Sequence, residues 1–399
     1  MSRGAQSDFA SRAAGLLLCL FVFSIPWEKS VQMPGTATFS HLLGILAFAT
    51  AAVAAARRGS VRPPNLALGL AAVFVLWTAL TYFWSLDRQA TATRVTTLAE
   101  LVAMVWLIWD TCRDSLLQIR LMQSYVWGAV AASAGAGLRF FQGHQTYYRR
   151  YAAAGFDPND FGLILALSIP LALYLGLRKG SLMRWCYRGA ALAVLGALLL
   201  TGSRTALVAS FVAFGFALWT WPEADRGQRT SSALLLLCLL LGLYRFAPVA
   251  TRQRLATVTR ELTRGTLHDR TTIWKAGLKV LRRHPVLGIG AGAYPEAVRP
   301  QLGTPGVPGA QYVAHNTFLS VLVECGAIGF GVYALMLGTV AMYVWTLPPT
   351  ERALWAIMLA VWAVGVSTLT WEHYKPSWLI VALIITEWGR PWRTAGLQE

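Results

Sequence analysis

Residues Leu192–Thr220 read LAVLGALLLTGSRTALVASFVAFGFALWT, two apolar runs separated only by Thr201-Gly202-Ser203-Arg204-Thr205. A helix crosses the hydrocarbon core of a bilayer with about 20 largely apolar residues. The stretch therefore predicts one helix going out, a tight turn, and a second helix coming back, with a lone arginine at the turn. A guanidinium at that depth is costly unless it is paired or meets water, which makes Arg204 a candidate functional residue; snorkelling to lipid headgroups is the plainer alternative.

The same pattern extends in both directions. Apolar spans centre near residues 18, 47, 75, 102, 128, 169, 194, 212, 238, 336, 361 and 382. The chain is 56% hydrophobic and 13% charged, with a mean hydropathy of +0.49, whereas soluble domains are nearer half apolar with about a quarter charged. The predicted fold is an all-α polytopic membrane protein of about 12 transmembrane helices, one integral membrane domain over residues 1–399. A long polar segment, 248–316, forms a helical loop or cap between the ninth and tenth spans.

The net charge is +17, but many of the cations sit in short loops beside apolar spans, a pattern of membrane orientation and headgroup attraction. No segment resembles a basic RNA-binding module with interleaved aromatics, so nucleic acid is excluded as a partner. With the N-terminus in the cytoplasm, Arg57, Arg58, Arg62, Arg113, Arg120, Arg178, Lys179, Arg184 and Arg188 fall inside. Both termini are then cytoplasmic and the long segment lies outside; loops of its length are largely exempt from the positive-inside trend. Arg3 and Arg12 precede an apolar run without a small-residue cleavage site, which reads as a retained first helix. The five cysteines stand singly, without CxxC pairs, so neither a disulfide framework nor a zinc site is expected. Trp27, Trp84, Trp185, Trp219, Trp221, Trp345, Trp371, Trp378 and Trp388 fall near span ends and are expected to anchor there as interfacial rings.

The polar segment is rich in cations, among them Arg252, Arg254, Arg260, Arg264, Arg270, Lys275, Lys279, Arg282 and Arg283. Asp269 can cap a helix running from Arg270 to about His284 and ending before Pro285. Ile273, Gly277, Val280 and Leu281 give that helix one apolar stripe, with the cations largely off it, as in a helix lying on a bilayer or roofing a cavity. Arg270 and Trp274 share neighbouring surface one turn apart. Arg270 is then a solvated charge, a phospholipid contact or an anion ligand. Gly288-Ile289-Gly290-Ala291-Gly292 lacks the preceding strand of a dinucleotide fingerprint and reads as a tight turn back to the membrane.

His315 stands before a long apolar helix that Asn316 or Thr317 could cap. A histidine there can be structural, or it can take a proton from an attacking hydroxyl, because imidazole titrates near neutral pH. Arg149 and Arg150 precede Gly155-Phe156-Asp157-Pro158-Asn159-Asp160, whose polar residues most simply cap the sixth helix; the two arginines are secondary candidates. Glu324 is an acid deep in the helix after His315, with no partner evident from sequence. No Asp-x-Asp pair and no histidine–carboxylate cluster has metal spacing, so neither metal nor cofactor is expected. A pyrophosphate leaving group would have to be neutralised by guanidinium groups.

Three stretches together resemble the O-antigen ligase family and its superfamily of O-antigen polymerases and protein O-oligosaccharyltransferases: Gly202-Ser203-Arg204-Thr205-Ala206, the Arg270-x3-Trp274 helix running to Gly290, and His315-Asn316-Thr317-Phe318-Leu319 followed by Glu324-Cys325-Gly326-Ala327-Ile328-Gly329. The resemblance implies a metal-independent glycosyltransferase of GT-C-like fold in the bacterial inner membrane, with its active site facing the periplasm. It implies transfer of a polymeric glycan from undecaprenyl pyrophosphate to a sugar hydroxyl of lipid A-core, with membrane lipids as further partners. His315 matches the family's general base, and Arg204 and Arg270 match its diphosphate-binding arginines. An O-antigen polymerase fits the same motifs. A transporter or flippase of an anionic lipid is the reading from another class, but the paired, broken helices of two repeated halves are not evident.

Overall fold

The computed structural model describes residues 3–31, 38–146, 150–177, 181–220, 226–245, 270–302 and 312–390. Among these the chain is helical, and its one β-type pairing is an isolated bridge between Thr146 and Arg150. The helices are α1 (Arg3–Ser24), α2 (Phe39–Arg58), α3 (Leu66–Leu80), α4 (Arg88–Thr111), α5 (Ser115–Phe141), α6 (Pro158–Leu177), α7 (Ser181–Thr201), α8 (Arg204–Trp219), α9 (Arg226–Arg245), α10 (Arg270–Arg283), α11 (Tyr294–Val298), α12 (Thr317–Trp345), α13 (Pro349–Val366) and α14 (Lys375–Trp388).

Each of the expected span centres falls within a described helix. Of the described helices, 7 are long and apolar enough to cross a membrane. The other expected spans depart from the pattern for local reasons. α8 has 16 residues and α14 has 14, and α5 carries Gln118, Arg120, Gln123 and Arg139 along its length. α14 compensates for its length by enclosure: every residue from Pro376 to Glu387 is buried, as expected of a helix apolar on all sides.

α6 is the other enclosed helix, packed between α5, α7, α8 and α13. Small residues bring its neighbours close. A Cβ on Gly162 would lie 2.5 Å from the Ala206 side chain of α8, and one on Gly365 of α13 would lie 2.1 Å from Leu163. The starts of α6 and α8 and the end of α13 are thereby held together, and they form part of the floor of the site described below.

The segment 270–302 forms a cap over one end of the bundle, with a small core of its own. Ile273, Gly277 and Val280 are buried, as the predicted stripe requires, and Lys275, Lys279, Arg282 and Arg283 are exposed. Gly277 is needed because the Tyr294 hydroxyl sits 2.3 Å from where its Cβ would be, donating to the Ile273 carbonyl at 3.0 Å. The helix ends at Arg283, one residue short of the predicted limit; its expected cap, Asp269, lies outside the described residues, as do Arg252, Arg254, Arg260 and Arg264.

The glycine run seats this cap. Gly288, Gly290 and Gly292 have φ of +71°, +106° and +80°, a region open to glycine at little cost. The loop pushes between α3, α4 and α12. The Ala291 N–H donates to Thr81 Oγ1 at 3.1 Å, Thr91 Oγ1 donates to the Ala291 carbonyl at 2.7 Å, and the Ile289 and Gly290 N–H groups donate to the Glu324 carbonyl at 3.1 and 2.9 Å. α12 breaks where the loop meets it, at Gly326 (φ 67°, ψ −174°), and the Ala327 N–H turns to the Pro285 carbonyl at 2.9 Å.

Two tryptophans expected at an interface are inside instead. Trp371 and Trp378 are 0% and 2% exposed, because their indole N–H groups have buried acceptors: Asp160 Oδ1 at 2.8 Å and the Glu372 carbonyl at 2.7 Å. Trp185, Trp219 and Trp345 are exposed at helix ends, as predicted. Trp221 lies outside the described residues.

Candidate active site

Four helices begin beneath or within the cap: α6 at Pro158, α8 at Arg204, α10 at Arg270 and α12 at Thr317. Side-chain hydrogen bonds from immediate sequence neighbours tie these starts together. Thr205, next to Arg204, shares a 2.8 Å hydroxyl–hydroxyl bond with Thr368 just past α13. Asn316, next to His315, donates from Nδ2 to the adjoining Ser367 carbonyl at 3.2 Å. Trp274, one turn after Arg270, donates from its indole to the Ala314 carbonyl at 2.7 Å, on the other side of His315. Arg204, Arg270 and His315 thus belong to one framework.

The local chemistry follows from sequence. Ser203 caps α8, its Oγ accepting from the Ala206 N–H at 3.3 Å, which leaves Arg204 in the first helical turn. Asn316 caps α12, its Oδ1 accepting from the Leu319 N–H at 2.9 Å. Thr317 Oγ1 donates to the Leu369 carbonyl at 2.9 Å and accepts from the Trp371 N–H at 2.8 Å, fixing the loop after α13 beside the start of α12. His315, between the Trp274 and Asn316 anchors, has φ of +47°. A non-glycine side chain in the left-handed region stores strain that the surrounding contacts must hold, and such strain gathers at functional sites.

The electrostatics are those of a partly desolvated basic pocket. Burial first, and then the Arg270 charge, push the His315 imidazole down to about 4, while the Asp157 carboxylate acts in the opposite direction. Burial lowers the Arg270 pKa from its ordinary value; Asp157 raises it in part and Arg204 lowers it further. These groups therefore lie within electrostatic reach of one another. At neutral pH His315 is an uncharged imidazole facing guanidinium groups, able to accept a proton. Arg204 and Arg270, with the positive ends of several helices, make the pocket attractive to an anion.

The secondary candidates are distributed differently. Arg150 is buried; its Nε donates to the Thr201 carbonyl at 2.6 Å and one terminal nitrogen to Asn159 Oδ1 at 2.8 Å, bracing the turn before Arg204 against the start of α6. Arg149 lies outside the described residues. Glu324 is buried away from His315, where its Oε2 accepts from the Gly292 N–H at 2.7 Å. Close by, Arg94 of α4 pairs with Glu372, which also meets His373 Nδ1 at 3.2 Å. Sequence reasoning missed this cluster, because Arg94, Glu324 and Glu372 belong to helices and loops remote in sequence. It also took Asp157 only for a capping residue.

Behind the site a wall runs through Trp371, Tyr374 and Asp160. Trp371 stacks on Tyr374 with ring centroids 5.2 Å apart, and the Tyr374 hydroxyl donates to Asp160 Oδ2 at 3.0 Å. On the far side of Tyr374 is a cavity of about 610 Å³ between α1, α2 and α4. Its lining is mostly apolar, with Ile45, Phe48 and Met104 among it, and includes the pairs Lys375–Glu28 and His41–Glu100 as well as Lys29.

A bundle of apolar helices, 7 of the described ones long and apolar enough to cross a membrane, with an imidazole and two guanidinium groups near one end, is the pattern of a multi-pass membrane protein with a basic site. Residues 189–334 match the family model described as O-antigen ligase. The matched stretch, less than half of the chain, runs from α7 into the second half of α12 and includes Arg204, Arg270, His315 and Glu324. Members of the family are glycosyltransferase-like enzymes acting on lipid-linked glycans. No curated protein matches the chain.

Proposed function

We propose that the chain is an O-antigen ligase of GT-C-like fold, working without a metal at the periplasmic face of the inner membrane. It moves a glycan from undecaprenyl pyrophosphate to a sugar hydroxyl of lipid A-core. The observation that carries this reading is the convergence of His315 with Arg204 and Arg270 in one hydrogen-bonded framework.

In the step proposed, the acceptor oxygen forms a bond to the anomeric carbon as the bond from that carbon to the diphosphate oxygen breaks. The acceptor proton passes to His315, and the electron pair of the broken bond leaves with the polyprenyl diphosphate. Arg204 and Arg270 stabilise the charge developing on that leaving group, and preorganised donors of this kind are worth about 2.7–4 kcal/mol each. An imidazole at about 4 is a weak base in the empty site. A bound diphosphate would neutralise the arginines and raise the imidazole toward the range where a base works best at neutral pH. The mostly apolar cavity beside Tyr374 gives a lipid-borne substrate room close to this wall.

The test is transfer by the purified full chain, supplied with a polyprenyl-diphosphate-linked glycan and either lipid A-core or a second donor as acceptor. Glycan on lipid A-core supports the ligase. Donor-to-donor extension alone would assign the polymerase activity of the same family. No covalent product with either acceptor would remove the enzymatic reading and leave the transporter.

A further inference from the structure

Among the described residues near this site, Asp157 has a charge whose sign runs against the proposed use. Its residue is exposed, its Oδ1 accepts from the Asn159 N–H at 2.7 Å, and its carbonyl accepts the first α6 bond from the Phe161 N–H at 2.9 Å. An asparagine or serine would cap the helix about as well. The helix dipole favours a carboxylate at this start, but the same charge repels a diphosphate, a cost that an asparagine cap would avoid.

Its placement offers an account. The start of α6 is fixed to the start of α12 through Asp160, whose Oδ1 accepts from the Trp371 indole, while the Trp371 N–H donates to Thr317. It is fixed to the start of α8 through Arg150, which bonds both Asn159 and Thr201, and through Gly162 against Ala206. The start of α6, and Asp157 as its cap, is thereby held at the junction of α6, α8 and α12.

When His315 takes the acceptor proton it becomes a cation beside Arg270 and Arg204. Among the described residues, Asp157 and Arg270 act directly on the imidazole, and Arg204 acts on Arg270. Behind the wall, Asp160 is engaged by Trp371 and Tyr374, the Lys29 ammonium donates to the Tyr374 hydroxyl at 3.2 Å, and Glu372 is engaged by Arg94 and His373. Among the described residues, this leaves Asp157 as a carboxylate able to offset an imidazolium.

We propose that Asp157 is a positioning residue for the reaction, an electrostatic partner that stabilises His315 once it carries the acceptor proton while the two arginines hold the diphosphate. This rests on the proposed function. The proton stays on His315 until it is released to solvent, and Asp157 remains ionised throughout.

The test is Asp157→Asn in the full chain, with Asp157→Ser as a second capping variant, assayed for kcat and donor KM across pH. Each variant is expected to unfold within a few degrees of the parent, with donor KM unchanged or lower, because a repulsive charge has gone. Their kcat at neutral pH should fall at least about tenfold, a share of the ~10²–10⁴ that general-base catalysis supplies. The acidic limb of kcat/KM should move to lower pH, since the carboxylate that favours the protonated imidazole is missing. Arg270→Gln should move the same limb to higher pH. An unchanged kcat with an unmoved limb, an effect on KM alone, or loss of the folded state in both variants would overturn the assignment. His315→Ala separates the two readings: if it is inactive while Asp157→Asn matches the parent, only this inference fails; if it is fully active, the proposed base fails with it.

Discussion

Two groups of charged side chains lie near the capped end of the bundle, and they are built in opposite ways. Around Glu324, opposite charges answer each other: Arg94 pairs with Glu372, Glu372 meets His373, and Glu324 takes a backbone N–H from the glycine loop. Around His315, Arg204 and Arg270 repel each other, the imidazole is driven toward neutrality, and the backbone is strained. A structural cluster closes its own charge balance. At His315, by contrast, the described residues set two like charges side by side next to the imidazole.

Substitutions should separate the two groups by what is lost. The largest effect expected is from His315→Ala, which should lower kcat by about 10²–10⁴ and leave the unfolding midpoint unchanged or slightly raised, since a strained side chain has been trimmed; this is read by transfer assay and thermal unfolding in detergent. Arg94→Ala should do the reverse. Leaving Glu372 buried without its partner costs about 3–5 kcal/mol, visible as a large drop in the same midpoint, and activity per folded molecule should change far less than in His315→Ala. Next, Arg204→Gln and Arg270→Gln should each reduce transfer by about 10²–10³, with weaker donor binding measured directly by titration with the polyprenyl diphosphate. Equal losses of stability at all four positions would erase the distinction.

A gentler measurement sharpens the comparison through pH. If His315 is the proposed neutral base, activity is retained above its pKa and lost below it. For the free protein kcat/KM should stay level through mildly acid pH and decline only as pH falls through about 4. With donor bound, the arginines are neutralised and the corresponding limb of kcat should appear at higher pH. Coincident limbs would mean that the diphosphate does not bind near the imidazole. The smallest effect belongs to Glu324→Gln. An amide oxygen can still accept from the Gly292 N–H, so a loss of about 1 kcal/mol or less is expected.

Much of this was legible in the sequence, and the parts that were share a cause. Helix positions follow from apolar runs, the α10 stripe from its 3.6-residue period, and the cap at Asn316 from short-range chemistry; all are local. The joining of Arg204, Arg270 and His315 was suggested only by motif order, whereas the bonds that achieve it, Thr205 to Thr368 and Trp274 to Ala314, span long stretches of chain. The Arg94–Glu372 pair and the burial of Trp371 and Trp378 were not legible for the same reason. An indole near a span end has the same local pattern whether lipid or Asp160 receives its N–H. Asp157 was readable as a cap but not as a charge, because its second role depends on which helix starts stand beside it.

The long reach of these bonds also bears on biogenesis. The hydroxyl pair that fixes the turn at Arg204 needs Thr368, and the carbonyl that steadies Asn316 belongs to Ser367, so neither contact exists until α13 has emerged from the ribosome and been inserted. A partly synthesised chain holds both arginines but not the scaffold that orients them against the imidazole. If the proposed function holds, transfer would have to wait until these later helices are in place.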